Sequence, residues 1–256
     1  MDKDSETSQD GVCVVTLSSW QDFHEKVRSI KSRRGYVWRG QRKDEDNGWF
    51  LISSFDREVQ TKNKNDRTEK LKLHLKNFKE EMNKSYPNVL PQDEVDIWAL
   101  GQHYGLQTPL LDWTLSPYIA AYFAFIEGTE ANDLNDRYRY VYALNRSLER
   151  LISKEKKANQ VLSSGRSIPF VDKLPYLNPR FVAQKGILTK AFQGNSIKAY
   201  VQSFSRKRPS EVVIVKLKIP TKDREKCLQD LHLMGIDHTS LLLDLRDVTD
   251  RCNRKL

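Results

Sequence analysis

The chain has 256 residues, 38% hydrophobic and 30% charged, and its 43 Lys and Arg against 34 Asp and Glu leave a formal net charge of +9. That length is ample to bury one sizeable core, and ten Phe, ten Tyr and five Trp exclude global disorder. No apolar run reaches the roughly 18 residues of a membrane-spanning helix, the acidic start MDKDSETSQD has no signal-peptide core, and Cys13, Cys227 and Cys252 share no metal-ligand spacing; a soluble, cytoplasmic protein without a metal site is expected. Residues 1–11 read as a disordered tail and 12–256 as a single globular domain. From Ser19, the positions Trp20, Phe23, Val27 and Ile30 recur at helical spacing with serine as N-cap, and the helix stops near Arg34-Gly35. Tyr36-Val37-Trp38 reads as a short buried strand leading into Arg39-Gly40-Gln41, followed by a polar loop. Leu71, Leu75, Phe78 and Met82 mark an amphipathic helix within 66–84, closed by Tyr86-Pro87. Pro91 precedes a third helix carrying Val95, Trp98 and Ala99 that ends around His103-Tyr104-Gly105.

Ser116-Pro117 is a helix start, a cap followed by proline at the first helical position. Ile119, Ala120, Ala121, Phe123 and Ala124 make that helix apolar nearly all round, so it should be deeply buried. Arg139–Leu144, Arg180–Leu188 and Glu211–Ile219 read as strands, residues 153–178 as a long loop, and Leu241-Leu242-Leu243 as a final short strand. Thr221 is placed to cap a last helix through Leu233, with Gly235 just past its end. Strands scattered among helices, without regular alternation, favour α+β: a mixed central sheet flanked by helices.

Residues 1–10 hold four acids and one lysine, so the rest of the chain carries three charges more than the whole, +12. The excess collects at Lys31–Lys43, at Lys154, Lys156 and Lys157, and at Arg206, Lys207 and Arg208. Such a body suits phosphate-bearing partners; plain solvated surface is the competing reading. No glycine-rich phosphate loop, GxSxG, HExxH or paired CxxC is present.

Two segments stand out. In Tyr36–Gln41 an arginine leaves the end of an apolar strand beside a glycine. A semi-buried guanidinium is costly unless it meets an anion or a carboxylate, and Gly40 would let a ligand approach the backbone; an internal Arg–Asp pair is the alternative. The second segment, LGQHYGLQTPLLDWTLSPYIAAYFA, packs His103, Tyr104, Thr108, Asp112, Trp113, Thr114 and Tyr118 in front of a core helix. That density of polar and aromatic groups suits a pocket wall. It also suits a capping network, with Thr114 and Ser116 as caps, Asp112 on Arg39 and His103 satisfied in the core.

Trp38-Arg39-Gly40, Gln102-His103-Tyr104-Gly105, Thr108 to Thr114 and Ala120 to Ala124 together resemble the FRG domain family. The likeness runs on through Arg180, Gln184-Lys185-Gly186 and Thr189 to Leu231, Gly235-Ile236 and Leu243-Asp244-Leu245, covering about residues 20–247. Where the family usually has Thr-Arg, this chain has Thr108-Pro109, which removes a phosphate or carboxylate partner there. FRG proteins resemble components of bacterial toxin and phage-defence systems, which implies an inhibitory antitoxin partner and no membrane.

A more distant resemblance, to ADP-ribosyltransferases, implies that fold and its chemistry. There an arginine ending the first strand holds NAD, a later strand and turn carry Ser or Thr before an Ala/Phe-rich helix, and a final acid polarises the ribose. The resemblance assigns catalysis to Arg39, Asp112, Gln184 and Glu211, with Gln184 and Glu211 competing for the third position. It assigns NAD binding to Arg39, Gly40, His103, Tyr104, Trp113, Thr114 and Tyr118. NAD would be a substrate, cleaved at the nicotinamide–ribose bond with a carboxylate stabilising the oxocarbenium-like transition state. The basic body then favours RNA or DNA as acceptor, with Arg206, Lys207 and Arg208 guiding the strand. A non-catalytic nucleotide- or partner-binding module and a nuclease using His103 and Asp112 are the competing classes.

Overall fold

The computed structural model describes residues 5–31, 35–61, 63–126, 136–146, 170–171, 179–190, 194–206 and 212–241. Its first elements are β1 (Ser5–Gln9), β2 (Val12–Thr16), α1 (Trp20–Lys31), β3 (Tyr36–Gln41), α2 (Ser54–Val59), α3 (Lys64–Ser85) and α4 (Glu94–His103). Then come β4 (Leu110–Thr114), α5 (Pro117–Phe125), β5 (Tyr138–Asn145), β6 (Phe170–Val171), α6 (Pro179–Ala183) and β7 (Gly186–Lys190). The last are α7 (Ile197–Ser205), β8 (Ile214–Pro220), α8 (Arg224–Leu233) and α9 (His238–Leu241). The strands form one mixed sheet in the order β1-β2-β8-β5-β3-β4-β7-β6. Only β2 and β8 run parallel; every other neighbouring pair is antiparallel.

Successive strand residues point to opposite faces, and each face has its own core. Trp38 packs with Trp20, Phe23 and Val27 of α1, the small face of α5, and Cys227 and Leu231 of α8. Val37, Leu111, Trp113 and Tyr142 point the other way and pack with Ile197, Tyr200 and Val201 of α7. A smaller cluster of Trp98, Leu110 and Leu188 is covered by Leu71 and Leu75 of α3. The helical stripe read from Trp20, Phe23, Val27 and Ile30 is buried throughout. Asp223 and Asp230 fasten it at 2.7 and 2.9 Å by accepting from the Trp20 backbone N–H and indole N–H. Ser116 caps α5, its hydroxyl accepting from the Ile119 N–H at 3.3 Å, with Pro117 in the first turn. Gly235, at φ +72°, ends α8 as expected: its N–H and that of Ile236 bond back to the carbonyls of His232 and Leu231.

Several elements differ from the sequence expectation. Ser5–Gln9, expected within a disordered tail, is an exposed strand paired with β2 from Ser5↔Thr16 to Gln9↔Val12. Asp10-Gly11, both at positive φ, form the two-residue turn, a strong hairpin signal that outweighs the absence of apolar residues in β1. Arg180–Leu188 is not one strand: α6 comes first, and the chain turns at Lys185, φ +48°, before β7. Gly186 sits under the Phe181 ring, 2.5 Å from where a Cβ would be. The expected polar loop after β3 contains α2, too short to show a period; Ser53 caps it, and Arg67 of α3 clasps its Asp56 at 2.5 and 3.0 Å. Thr221 lies in a 3-10 turn preceding α8 and makes no side-chain cap bond. Leu241 ends α9; Leu242, Leu243 and most of 153–178 lie outside the described residues.

Candidate functional site

β3 and β4 are joined through a single residue pair, Trp38↔Thr114. All of β4 is committed to β7, from Leu110↔Lys190 to Thr114↔Gly186, and all of β3 to β5. Between β3 and β4 themselves no further pair forms, so beyond Trp38 and Thr114 the two strands part, leaving Arg39-Gly40-Gln41 on one side of a gap and Asp112-Trp113 on the other. A cleft of about 270 Å³ occupies the gap, and its walls include Arg39, Arg42, Trp49, Asp112, Phe123, Arg180 and Gln184. A recess of about 150 Å³ lies on the far side of Asp112, against Gln102, His103 and Phe181. Asp112, Arg180 and Gln184 belong to both.

Asp112 is held from two directions. Its carboxylate Oδ1 accepts from Gln102 Nε2 at 2.6 Å, and the Thr108 hydroxyl donates to Gln102 Oε1 to fix the amide. Its main-chain carbonyl accepts from Arg39 Nη1 at 2.7 Å. The expected internal pair is thus a guanidinium-to-carbonyl bond that leaves the carboxylate to the cleft. The carboxylate meets solvent through the mouth, but protein encloses it. That enclosure raises its pKa above the usual carboxylate value, opposed by Arg39, Gln102 and Arg180. Enclosure likewise lowers the pKa of Arg39, against the favourable charge of Asp112; an arginine starting so high stays charged.

The cleft's outer wall hangs on a buried charge cluster. Arg42 and Trp49 flank a tight turn closed by Trp49 N–H to the Asp44 carbonyl at 2.9 Å, with Gly48 at φ +77°. The Arg42 guanidinium lies 5.3 Å from the Trp49 ring centre. Lys216 of β8, only 5% exposed, donates to Asp44 at 2.7 Å and Glu45 at 2.9 Å, while Lys198 reaches Glu45 at 3.3 Å. Burial alone would raise both carboxyls, but Lys216 outweighs it and holds them below their ordinary values.

The expected site residues fall into three groups. Arg39, His103, Asp112 and Gln184 line the cavities, as do Gly40, Trp113 and Thr114, but these last three serve the fold. A Cβ on Gly40 would lie 1.8 Å from the Ala120 carbonyl oxygen, so its first duty is the close approach of α5 rather than of a ligand. The Trp113 ring is buried, its Nε1 donating to Thr189 at 2.9 Å, and offers no free face for stacking. Thr114 donates to the Gln184 carbonyl at 2.7 Å, and the Gln184 amide donates to the Leu241 carbonyl at 3.1 Å.

Tyr118 and Tyr104 do not line either cavity. Tyr118 packs on Phe23 and His24 of α1, its hydroxyl 3.2 Å from His24 Nδ1. Tyr104 is 80% exposed and edge-on to His103 with ring centres 4.8 Å apart. Arg206 ends α7 and pairs with Asp10 at 3.5 Å beside β2, with β8 and β5 between it and the cleft strand β3. Lys207, Arg208 and Glu211 lie outside the described residues. Sequence reasoning missed Gln102, Trp49, Arg42 and Arg180 as cleft residues. Arg180 was findable, at the start of a helix begun by Pro179 and four residues before Gln184, which follows the helix's end; Trp49 was not, since its place depends on Lys216 more than 160 residues away.

Among the described residues no three His, Cys, Asp or Glu side chains group as metal ligands, and no helix is long and apolar enough to cross a membrane. The family model of the FRG domain matches residues 34–133, the stretch holding β3, α4, β4 and α5 and hence Arg39, Gln102 and Asp112. No curated protein and no solved structure matches the chain.

Proposed function

We propose that the cleft binds NAD and that the protein transfers ADP-ribose from it to RNA or DNA; the stretch matched by the FRG domain model contributes Arg39 and Asp112 to that cleft. The observation that carries this reading is one carboxylate, Asp112, sharing a cleft with three arginines, Arg39, Arg42 and Arg180, in the gap between parted strands. Guanidinium forks suit a pyrophosphate, and the half-buried Trp49 supplies an aromatic wall for a flat ring. A strand arginine followed by glycine, Arg39-Gly40, is also part of what the ADP-ribosyltransferase resemblance implies.

In this reaction the acceptor's oxygen or nitrogen bonds to C1′ of the nicotinamide ribose as the C1′–nitrogen bond breaks. The bonding pair moves onto the nicotinamide ring nitrogen and neutralises its charge. Asp112 stabilises the positive charge that develops at C1′ and takes the acceptor's proton, for which a raised pKa is an advantage. Gln102 holds the carboxylate in place. Gln184 positions Thr114 and the turn into α5 through its carbonyl, and with Glu211 it remains a candidate for the ribose contact. A toxin or phage-defence effector acting in the cytoplasm, restrained by an antitoxin, is the biological setting that the family resemblance supports.

Incubation with labelled NAD and separate RNA, DNA and protein pools tests the reading. Nicotinamide release with label on nucleic acid is expected, and Asp112→Ala should end turnover while NAD still binds. Label on protein alone would change the acceptor class. Strand scission without label transfer would point to a nuclease, and NAD binding without turnover to a binding module.

A further inference from the structure

We propose that the recess beyond Asp112 is the acceptor subsite and takes one unstacked base of a single-stranded nucleic acid, with Tyr104 stacking a neighbouring base at its mouth. The proposal rests on the transferase reading of the larger cleft, since it assigns the second substrate of that reaction.

Transfer requires donor and acceptor to meet at one atom, and the two cavities meet at Asp112. The recess, about 150 Å³, is little more than half the cleft and suits a single ring better than a nucleotide with its phosphates. Its walls pair an apolar ring, Phe181, with the His103 imidazole and with Arg180, which it shares with the cleft. Among the described residues neither the His103 imidazole nor the Arg180 guanidinium makes a hydrogen bond, although both are partly buried. One stacking surface plus a few polar groups aimed at a ring's edge is how enzymes hold a base taken out of its stack.

Tyr104 supplies an independent observation. It is 80% exposed, and among the described residues its one ring contact is the edge of His103. An exposed aromatic beside a cleft, on a chain of net charge +9, is the platform on which single-stranded bases stack without sequence preference. A duplex keeps its bases paired and stacked, so it could use neither feature without extruding a base.

The test uses the full chain with fluorescent single-stranded RNA and DNA oligonucleotides, a duplex of the same sequence, and NAD. The unaltered protein should bind a single strand at least tenfold more tightly than the duplex at equal salt. Tyr104→Ala should weaken single-strand binding by about tenfold and leave NAD affinity unchanged, and His103→Ala should lower label transfer more than nicotinamide release into water. Comparing RNA with DNA shows which sugar the mouth accepts. Single-strand binding indifferent to Tyr104, or an equal loss of NAD affinity, would overturn the proposal while leaving the transferase reading intact. No NAD binding by the unaltered protein, with strand binding still sensitive to Tyr104, would remove the transferase reading and with it the acceptor role of the recess.

Discussion

Gly40 has no space for even one more carbon. Its missing Cβ would lie 1.8 Å from the Ala120 carbonyl oxygen and 2.8 Å from the Ala124 nitrogen, both backbone atoms of α5, so no side-chain rotation can relieve the clash. Gly40→Ala should therefore cost about 3 kcal/mol or more, read as a fall in the urea midpoint with an unchanged slope. Asp112 presents a different case, a residue whose charged form is disfavoured by its enclosure. Its raised pKa means that the native state holds the proton more tightly than the unfolded chain does. Stability therefore falls as pH rises from the unfolded value towards the native one, and stays at the lower level above it. Asp112→Asn removes that penalty. The variant should melt higher than the parent at neutral pH, converge with it below about pH 3 where both are uncharged, and be inactive. A lower melting temperature at neutral pH would show that Arg39, Arg180 and Gln102 more than offset the burial.

At the scale of elements, the turn from Asp44 to Trp49 shows how a distant strand shapes the cleft. Nothing in its own sequence holds it against the sheet; Lys216, on β8, does so through two carboxylates. Lys216 lies opposite Tyr142, itself opposite Arg39, so one row of side chains crosses from the anchor to the cleft. Lys216→Met leaves the buried Asp44 without its ion-pair partner and Glu45 with Lys198 alone, and should cost about 3–5 kcal/mol. The native pKa values of both carboxyls are lowered, so their contribution is complete above the unfolded values near ~4 and is lost as pH falls through the native ones. In the variant this acid sensitivity should shrink to what Lys198 sustains at Glu45, and loss of the Arg42–Trp49 wall should weaken ligand binding at temperatures where the fold persists. Retention of the parent's acid transition would show that other groups hold the turn.

For the molecule as a whole, the parted seam makes ligand binding a stability term. The three arginines of the cleft come from β3, the following turn and α6, so the pyrophosphate ligand proposed for it would bridge the two halves of the sheet. ADP-ribose at a hundred times its Kd should add about 2.7 kcal/mol to unfolding. For a chain of this size that is a rise of roughly 5–10 °C in Tm. Replacing both Arg39 and Arg180 with Ala should abolish the rise, and a rise that persists would place the ligand elsewhere.

Local pattern specified whatever an element decides for itself. The period of Trp20, Phe23, Val27 and Ile30, the Ser116-Pro117 start of α5 and the Gly235 stop of α8 depend on neighbours within a turn or two, and they occur as expected. The motif residues Arg39 and Asp112 were legible for a related reason, since a charged group leaving an apolar strand needs an explanation wherever the strand lies. Pairing over long distances decided the rest. β4 lies beside β7, with Asp112 opposite Leu188, and β3 beside β5, while the two strands meet each other only at Trp38 and Thr114, which opens the cleft. Gly40 reads alike whether a ligand or a helix approaches it, and only the placement of α5 separates the two. Tyr118 and Phe123 ride one apolar helix, yet one packs on α1 and the other lines the cleft. A helix buried nearly all round has no periodic stripe to tell its faces apart, so its neighbours assign them.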